Sequence, residues 1–413
     1  MLSPHPMADK FPMREGEFIL LLALFQSLIA LSIDIMMPAL GVISRDLALG
    51  DPNDRQLVIA LFLLGGGIGS IAPGVLADRY GRKPVLMISL AAYIATSLAC
   101  ALVTDFSVLL ALRVVQGLST SSLMVLPMTI IRDRFSGDRM ARAQSMVAMT
   151  FMIVPMLAPA FGQAIMHVAG WRAIFGVMAG LAAVATVWAA IRLPETLHPE
   201  FRQALQPRTI AGNMKRSLFH RAAAGYFLAS ALIHGAFLGF INTTQQLLGE
   251  HYGTGQDFVY IFGGMALMLS IGNFLNARIV ERLGARRISH AALLVFIAVA
   301  FAQLLVVIEW PDSLLLFLPL MTAEMMLLAF MMANFQSMAL QPFARIAGAA
   351  ASAQASLRTV AAAVIGAIVG HAYNDSAVPL ALGMAIAGVL SLALVLYGQQ
   401  GRLFQRPIDY DET

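Results

Sequence analysis

Two acids and two arginines stand deep inside long apolar runs: Asp34 in "SIDIMMPAL", Arg113 in "LRVVQGLSTSS", Glu324 in "LMTAEMMLLAF" and Arg358 in "ASAQASLRTV". A charge at the centre of a lipid-embedded helix costs roughly 2.5–3.5 kcal/mol on insertion scales, so such residues turn to a bundle interior or a wet cavity and pair there. The chemistry that suits them is proton carriage by the acids, with proton affinity set by the competition between burial and a nearby arginine. Counted from the ends of their runs, Asp34 and Arg113 have equal depth, roughly 9 Å below the same boundary at 1.5 Å per residue. Counted likewise, Glu324 and Arg358 both fall near mid-membrane. The expectation is a cavity shared by Asp34 and Arg113, and a second-half buried pair of Glu324 and Arg358. A purely structural ion pair is the alternative for each, and for Arg113 also recognition of an acidic substrate.

The elements that must hold these residues are membrane helices. The chain is 59% hydrophobic and 12% charged, where soluble domains run about 45–50% and about 25%. Mean hydropathy is +0.77. A span needs about 20 mainly apolar residues. Such runs lie near 17–40, 55–77, 84–103, 107–131, 142–168 and 171–193, then near 219–247, 257–279, 287–308, 313–340, 347–370 and 377–398. The fold class is all-α integral membrane, with twelve transmembrane helices. The expected organisation is a tail over 1–16, a six-helix half over 17–193, a polar linker over 194–218, a second six-helix half over 219–398 and a tail over 399–413. The first run is too long for a signal-peptide core and is taken as a retained span.

Two loops repeat. "DRYGRK" (78–83) joins the second and third runs, and "ERLGAR" (281–286) joins the eighth and ninth, so acid, Arg, apolar, Gly and base recur in order. Two pseudo-symmetric halves of six spans are the layout of a large transporter class. Charge gives the orientation. Of the 27 lysines and arginines, 22 fall on the side of the N-terminus and only Arg45, Arg55 and Arg172 on the other. Both termini are therefore expected in the cytoplasm. The same asymmetry accounts for the basic balance without nucleic acid. Cys100, the one cysteine, reads as a small buried hydrophobe. No H-E-x-x-H, G-x-S-x-G or nucleotide loop is present, which disfavours an integral membrane enzyme. "LLGGGIGSIAPG" (63–74) reads as a small-residue face for close helix packing.

With these stretches in view, the chain resembles the major facilitator superfamily, and within it bacterial drug:proton antiporters of the Bcr/CflA kind. "GVLADRYGRKPV" (74–85) looks like the superfamily loop signature, carried by Gly74, Asp78, Arg79, Gly81, Arg82 and Lys83. "RDRFSG" (132–137), opening with Arg132, fits the same subgroup. "VPMLAPAFGQ" (154–163) is similar to the fifth-span antiporter motif through Pro155, Pro159 and Gly162, with Ala158 where a glycine is usual. The resemblance implies proton-driven export of drugs or other small, largely apolar compounds by alternating access. It implies Asp34 as the proton site, and a latch in which the acid of the 78–83 loop meets the opposite half near the start of span 11. It implies a monomer in the bacterial inner membrane with small-molecule substrate, protons and lipid as partners, and no cofactor beyond the proton gradient. Glu324 joins Asp34 and Arg113 as a proton-coupling candidate. Gln26, Ser27, His234, Asn242, Gln245 and Asn334 are polar groups within spans and candidates for the substrate cavity. The rival reading is a superfamily transporter of a sugar, amino acid or organic acid; a non-transporting receptor is remote.

Overall fold

The computed structural model describes residues 12–135, 137–197, 200, 212 and 215–404. Most of the two tails and of the 194–218 linker therefore lies outside the described residues. Those described form helices and turns, with no strand among them.

Two compact units emerge, one of residues up to Leu47 with Leu61–Gln206, the other of Ala48–Ala60 with the chain from Pro207 onward. In the first unit, α1 (Glu15–Asp34) stops at the acid itself. Pro38 follows, without an N–H to continue the ladder, and a single tight turn (Met37–Ala39) leads into α2 (Leu40–Asp46). Together they form one broken membrane segment, Glu15–Asp46. Helices α3 (Leu57–Gly69) and α4 (Ala72–Tyr80) form a second, bent by 45°. Next come α5 (Arg82–Leu102) and α6 (Phe106–Arg134), the latter started by Asp105, whose carboxylate accepts from the Val108 N–H at 3.0 Å. The continuous α7 (Gly137–Arg192) hides two spans, because Gly170 at φ 76° turns the chain between them.

The second unit holds α8 (Arg221–Thr244), α9 (Phe258–Leu283), α10 (Ala285–Glu309), α11 (Leu314–Leu340), α12 (Ala347–His371) and α13 (Val378–Gly398). With α7 divided at Gly170 and the two broken segments each taken as one, twelve membrane segments lie among the described residues. The loop repeat has a backbone counterpart. Gly81 ends α4 at φ 105° and Gly284 ends α9 at φ 84°, a left-handed turn that favours glycine in both units.

Small residues bring α3 and α6 together. A Cβ on Gly65 would run into the carbonyl of Val114, and one on Gly117 into the carbonyl of Phe62. This close approach places Phe62 over Arg113, described below. Gly117→Ala should therefore destabilise by about 1–3 kcal/mol through overpacking, read as a lowered midpoint in thermal unfolding of the detergent-solubilised chain.

Candidate functional site

Asp34 is the last residue of α1 and 5% exposed. A helix end leaves its last carbonyls without donors. Arg113, fully buried on α6, takes one of them: its Nη2 donates to the Ser32 carbonyl at 2.8 Å. Its Nη1 donates to Gln116 Oε1 at 2.6 Å, and its guanidinium lies 4.3 Å from the Phe62 ring centre. Gln116 passes the chain on, donating to Ser97 Oγ at 2.7 Å, while the Ser32 hydroxyl shares a 2.6 Å hydrogen bond with the Tyr93 hydroxyl. A cation beside a helix C-terminus also complements the helix dipole. Arg113 thus ties α1 to α6 at the break. Among the described residues, no hydrogen bond or ion pair joins it to Asp34. Equal depth did not make them partners, because the broken segment runs to Asp46, about 18 Å beyond Asp34 at helical rise, rather than ending near residue 40.

The fifth-span motif reaches the same break. Gly162 on α7 lies so close to the Ile35 carbonyl, one residue past Asp34, that a Cβ would collide with it. Ala158 and Pro159 are buried a turn earlier, and Pro155 lies on the same helix.

In the second unit, Glu324 is 1% exposed on α11, and neither carboxylate oxygen has a hydrogen-bond partner among the described residues. The expected Glu324–Arg358 pair is not formed. Arg358 on α12 donates instead through Nη1 to Gln336 Oε1 at 3.2 Å. Gln336 lies twelve residues from Glu324, about 18 Å along α11. The two helices have nearly equal lengths, 27 residues for α11 and 25 for α12, so equal counts from their ends fixed depth alone and not which side chains meet.

The polar cavity candidates divide. Ser27 donates back to the Ala23 carbonyl, Asn334 to Asn276 Oδ1 and the Phe330 carbonyl, and Gln26 to the Met124 carbonyl. Gln245 donates to Glu250 Oε1. Asn242 is buried with both amide atoms unpartnered among the described residues, as is Nδ1 of His234.

The 78–83 loop is a charge cluster within the first unit. Arg82 is buried and bonded to two acids, Nη1 to Asp78 at 2.5 Å and Nε to Asp133 at 3.1 Å. Glu195 closes the cluster: its carboxylate accepts from the Arg82 N–H at 2.8 Å and the Lys83 N–H at 3.2 Å, capping α5. A side chain on Gly81 would strike that carboxylate. Lys83 donates to the Ala190 carbonyl, Arg79 lies over Tyr80, and Arg132 is exposed. A Cβ on Gly74 would meet Val125 only at ordinary van der Waals distance. Glu195→Ala should remove about 1 kcal/mol of capping energy, seen as about fivefold faster hydrogen exchange of the first α5 amides.

The sequence profile of the Major Facilitator Superfamily matches residues 22–367. The chain belongs to this superfamily. Among its relatives, the bicyclomycin resistance protein homolog of Haemophilus influenzae is 28% identical over 387 residues, covering 91% of this chain and 94% of that one. The multidrug resistance protein MdtL of Klebsiella pneumoniae is 26% identical over 394 residues, covering 92% and 94%. The crystal structure of a D-xylose–proton symporter superposes with a TM-score of 0.74 at 13% identity, covering 94% of this chain and 99% of the other. The human organic anion transporter MFSD10 gives 0.69 at 17%, covering 94% and 100%. These two establish the shared fold: this is a multi-pass membrane protein with the major facilitator architecture. Within that architecture, sequence reasoning missed Glu195, Asp133, Tyr93 and Ser97. Glu195 carries a signal, an acid two residues past the last apolar run of the first half, but its polar surroundings place it in the linker.

Proposed function

We propose that this chain is a proton-driven exporter of drugs or other small, largely apolar compounds, working by alternating access in the bacterial inner membrane with both termini cytoplasmic. The observation that carries the reading is Asp34, a buried carboxyl at the break that ends α1, with no ion pair among the described residues, while Arg113 donates to the Ser32 carbonyl and Gln116. Broken membrane helices are where transporters place coupling-ion sites. A carboxylate held there without a cation is costly, and protonation removes the cost. Water reaching the break in one conformation then takes the proton away. The relatives named for bicyclomycin and multidrug resistance support export of drugs over uptake of a metabolite. The absence of a fixed partner also suits Glu324 as a second proton carrier. The loop cluster supports a latch role for Asp78, whose side chain is 40% exposed and can meet a further partner beyond Arg82. The chain acts as a monomer and without enzymatic turnover in this account. The test is drug accumulation in inverted membrane vesicles energised by a proton gradient. Uptake that stops when the gradient is collapsed is expected; gradient-independent uptake would refute proton drive.

A further inference from the structure

The chain leaves the first unit at Leu47 and returns to it at Leu61, and Ala48–Ala60 between them packs with the second unit. Within that stretch a short tight helix, Pro52–Gln56, is started by Asp51, whose carboxylate accepts from the Asn53 N–H at 2.8 Å. Its side chains are fastened to the second unit. Asn53 donates through Nδ2 to the Tyr373 carbonyl at 2.9 Å and accepts at Oδ1 from Gln246 at 2.8 Å. Gln56 donates through Nε2 to Gln246 Oε1 at 2.6 Å. Arg55, only 5% exposed, grips Glu250 with both ends of its fork, Nη1 to Oε1 and Nη2 to Oε2, each at 3.0 Å.

The receiving surface is shaped for this grip. Past Thr244, α8 widens into a π-type turn, Gln245–His251, a departure from α geometry that is frequent at functional sites. Within it Gln245 donates to Glu250 Oε1 at 2.9 Å and so steadies the carboxylate that Arg55 meets. The Tyr373 hydroxyl donates to the Gln246 carbonyl at 3.3 Å. The fit is close: a side chain on Gly370 would strike Gln56 Oε1, and it would also lie against Asn242. Asn242 is therefore packed at the same backbone position as Gln56, buried with both amide atoms unpartnered among the described residues. A paired arginine–carboxylate contact is charge-assisted and demands exact geometry, and a buried arginine that loses its carboxylate is left with an uncompensated charge. Both flanks of the segment are carried by the first unit, so a displacement of that unit pulls on it directly.

We propose that residues 51–56 form a releasable strap, locked by Arg55 and Glu250, that closes one end of the second unit over Asn242 and lifts to open it. As an outer closure on the drug's exit it rests on the exporter reading and the orientation above; the fastening and release themselves do not.

The test is the rate at which N-ethylmaleimide alkylates Asn242→Cys in the full chain in nanodiscs, with Cys100→Ser removing the one native thiol. Under the fastened strap the new thiol is covered and should react slowly. Glu250→Gln and Arg55→Gln should each speed alkylation at least about tenfold, because the closed state alone loses a contact. The double variant should be no faster than the single ones, since either loss opens the lock. Asn53→Ala strands no buried charge and should speed alkylation about fivefold through its lost hydrogen bonds; it decides the matter if the lock variants do not fold. Equal rates in all these backgrounds would overturn the proposal. So would additive accelerations in the double variant, which would show Arg55 and Glu250 acting separately. Vesicles that fail to move drugs would refute the exporter reading and leave these rates unchanged.

Discussion

Asp34→Asn should abolish gradient-driven efflux while leaving the folded protein intact. The side chains are nearly isosteric, and the carboxyl makes no ion pair with Arg113 that the change would break. The amide cannot release a proton when water reaches the α1 break. Flux driven by a pH gradient should fall at least about a hundredfold, in line with the loss of a group essential to proton transfer. Drug binding at equilibrium and the thermal midpoint should stay close to wild type. Efflux at the wild-type rate in vesicles carrying Asp34→Asn would remove Asp34 from the mechanism. A variant that does not fold would show instead that the carboxyl is structural.

Arg113→Ala should have the largest effect on stability. The variant loses two charge-assisted hydrogen bonds, to Ser32 O and Gln116 Oε1, and the stacking on Phe62. It also leaves a cavity at the crossing of α1, α3 and α6. A loss of about 3–5 kcal/mol is expected for breaking a buried, bonded charge. Arg113→Lys keeps the charge at the α1 end but can reach only one of the partners, so about half of that loss should return. Tyr93→Phe removes only the hydroxyl bonded to Ser32 and should cost about 1 kcal/mol. The order Ala, Lys, Phe in thermal midpoint, lowest first, checks the network. An Arg113→Ala protein as stable as wild type but uncoupled from protons would assign Arg113 to the proton site and not to the α1–α6 tie.

The membrane class, the six-plus-six organisation and the glycine turns were legible in the sequence because they depend on local quantities: apolar run length, basic loops and a repeated Gly81/Gly284 signal. The individual intramembrane charges were legible for the same reason, since Asp34, Arg113, Glu324 and Arg358 stand out against apolar neighbours. Their pairing was not. Depth along a helix fixes one coordinate, and contact needs the rotation of each helix and its true length as well. Asp34 and Arg113 share a neighbourhood but not a bond, because the end of α1 offers Arg113 the Ser32 carbonyl. Glu324 and Arg358 are separated although α11 matches its apolar run, because Arg358 reaches Gln336, twelve residues along α11 from Glu324. Pro38 did carry the signal for the break at Asp34: a proline four residues on removes the N–H that would have bonded the Asp34 carbonyl. Glu195 lay in a stretch whose polarity marked it as linker, and only the fold brings it under Gly81 to cap α5.

The most direct measurement of proton coupling at Asp34 follows protons and drug together. Purified wild-type chain and Asp34→Asn are placed in proteoliposomes with a pH dye inside and no membrane potential. A lipophilic drug bound by both proteins is then added under an imposed pH gradient. Wild type should move drug and dissipate the gradient in fixed proportion, and Asp34→Asn should do neither while still binding the drug. Drug movement by wild type with no proton flux, or equal coupled flux in Asp34→Asn, would contradict the account.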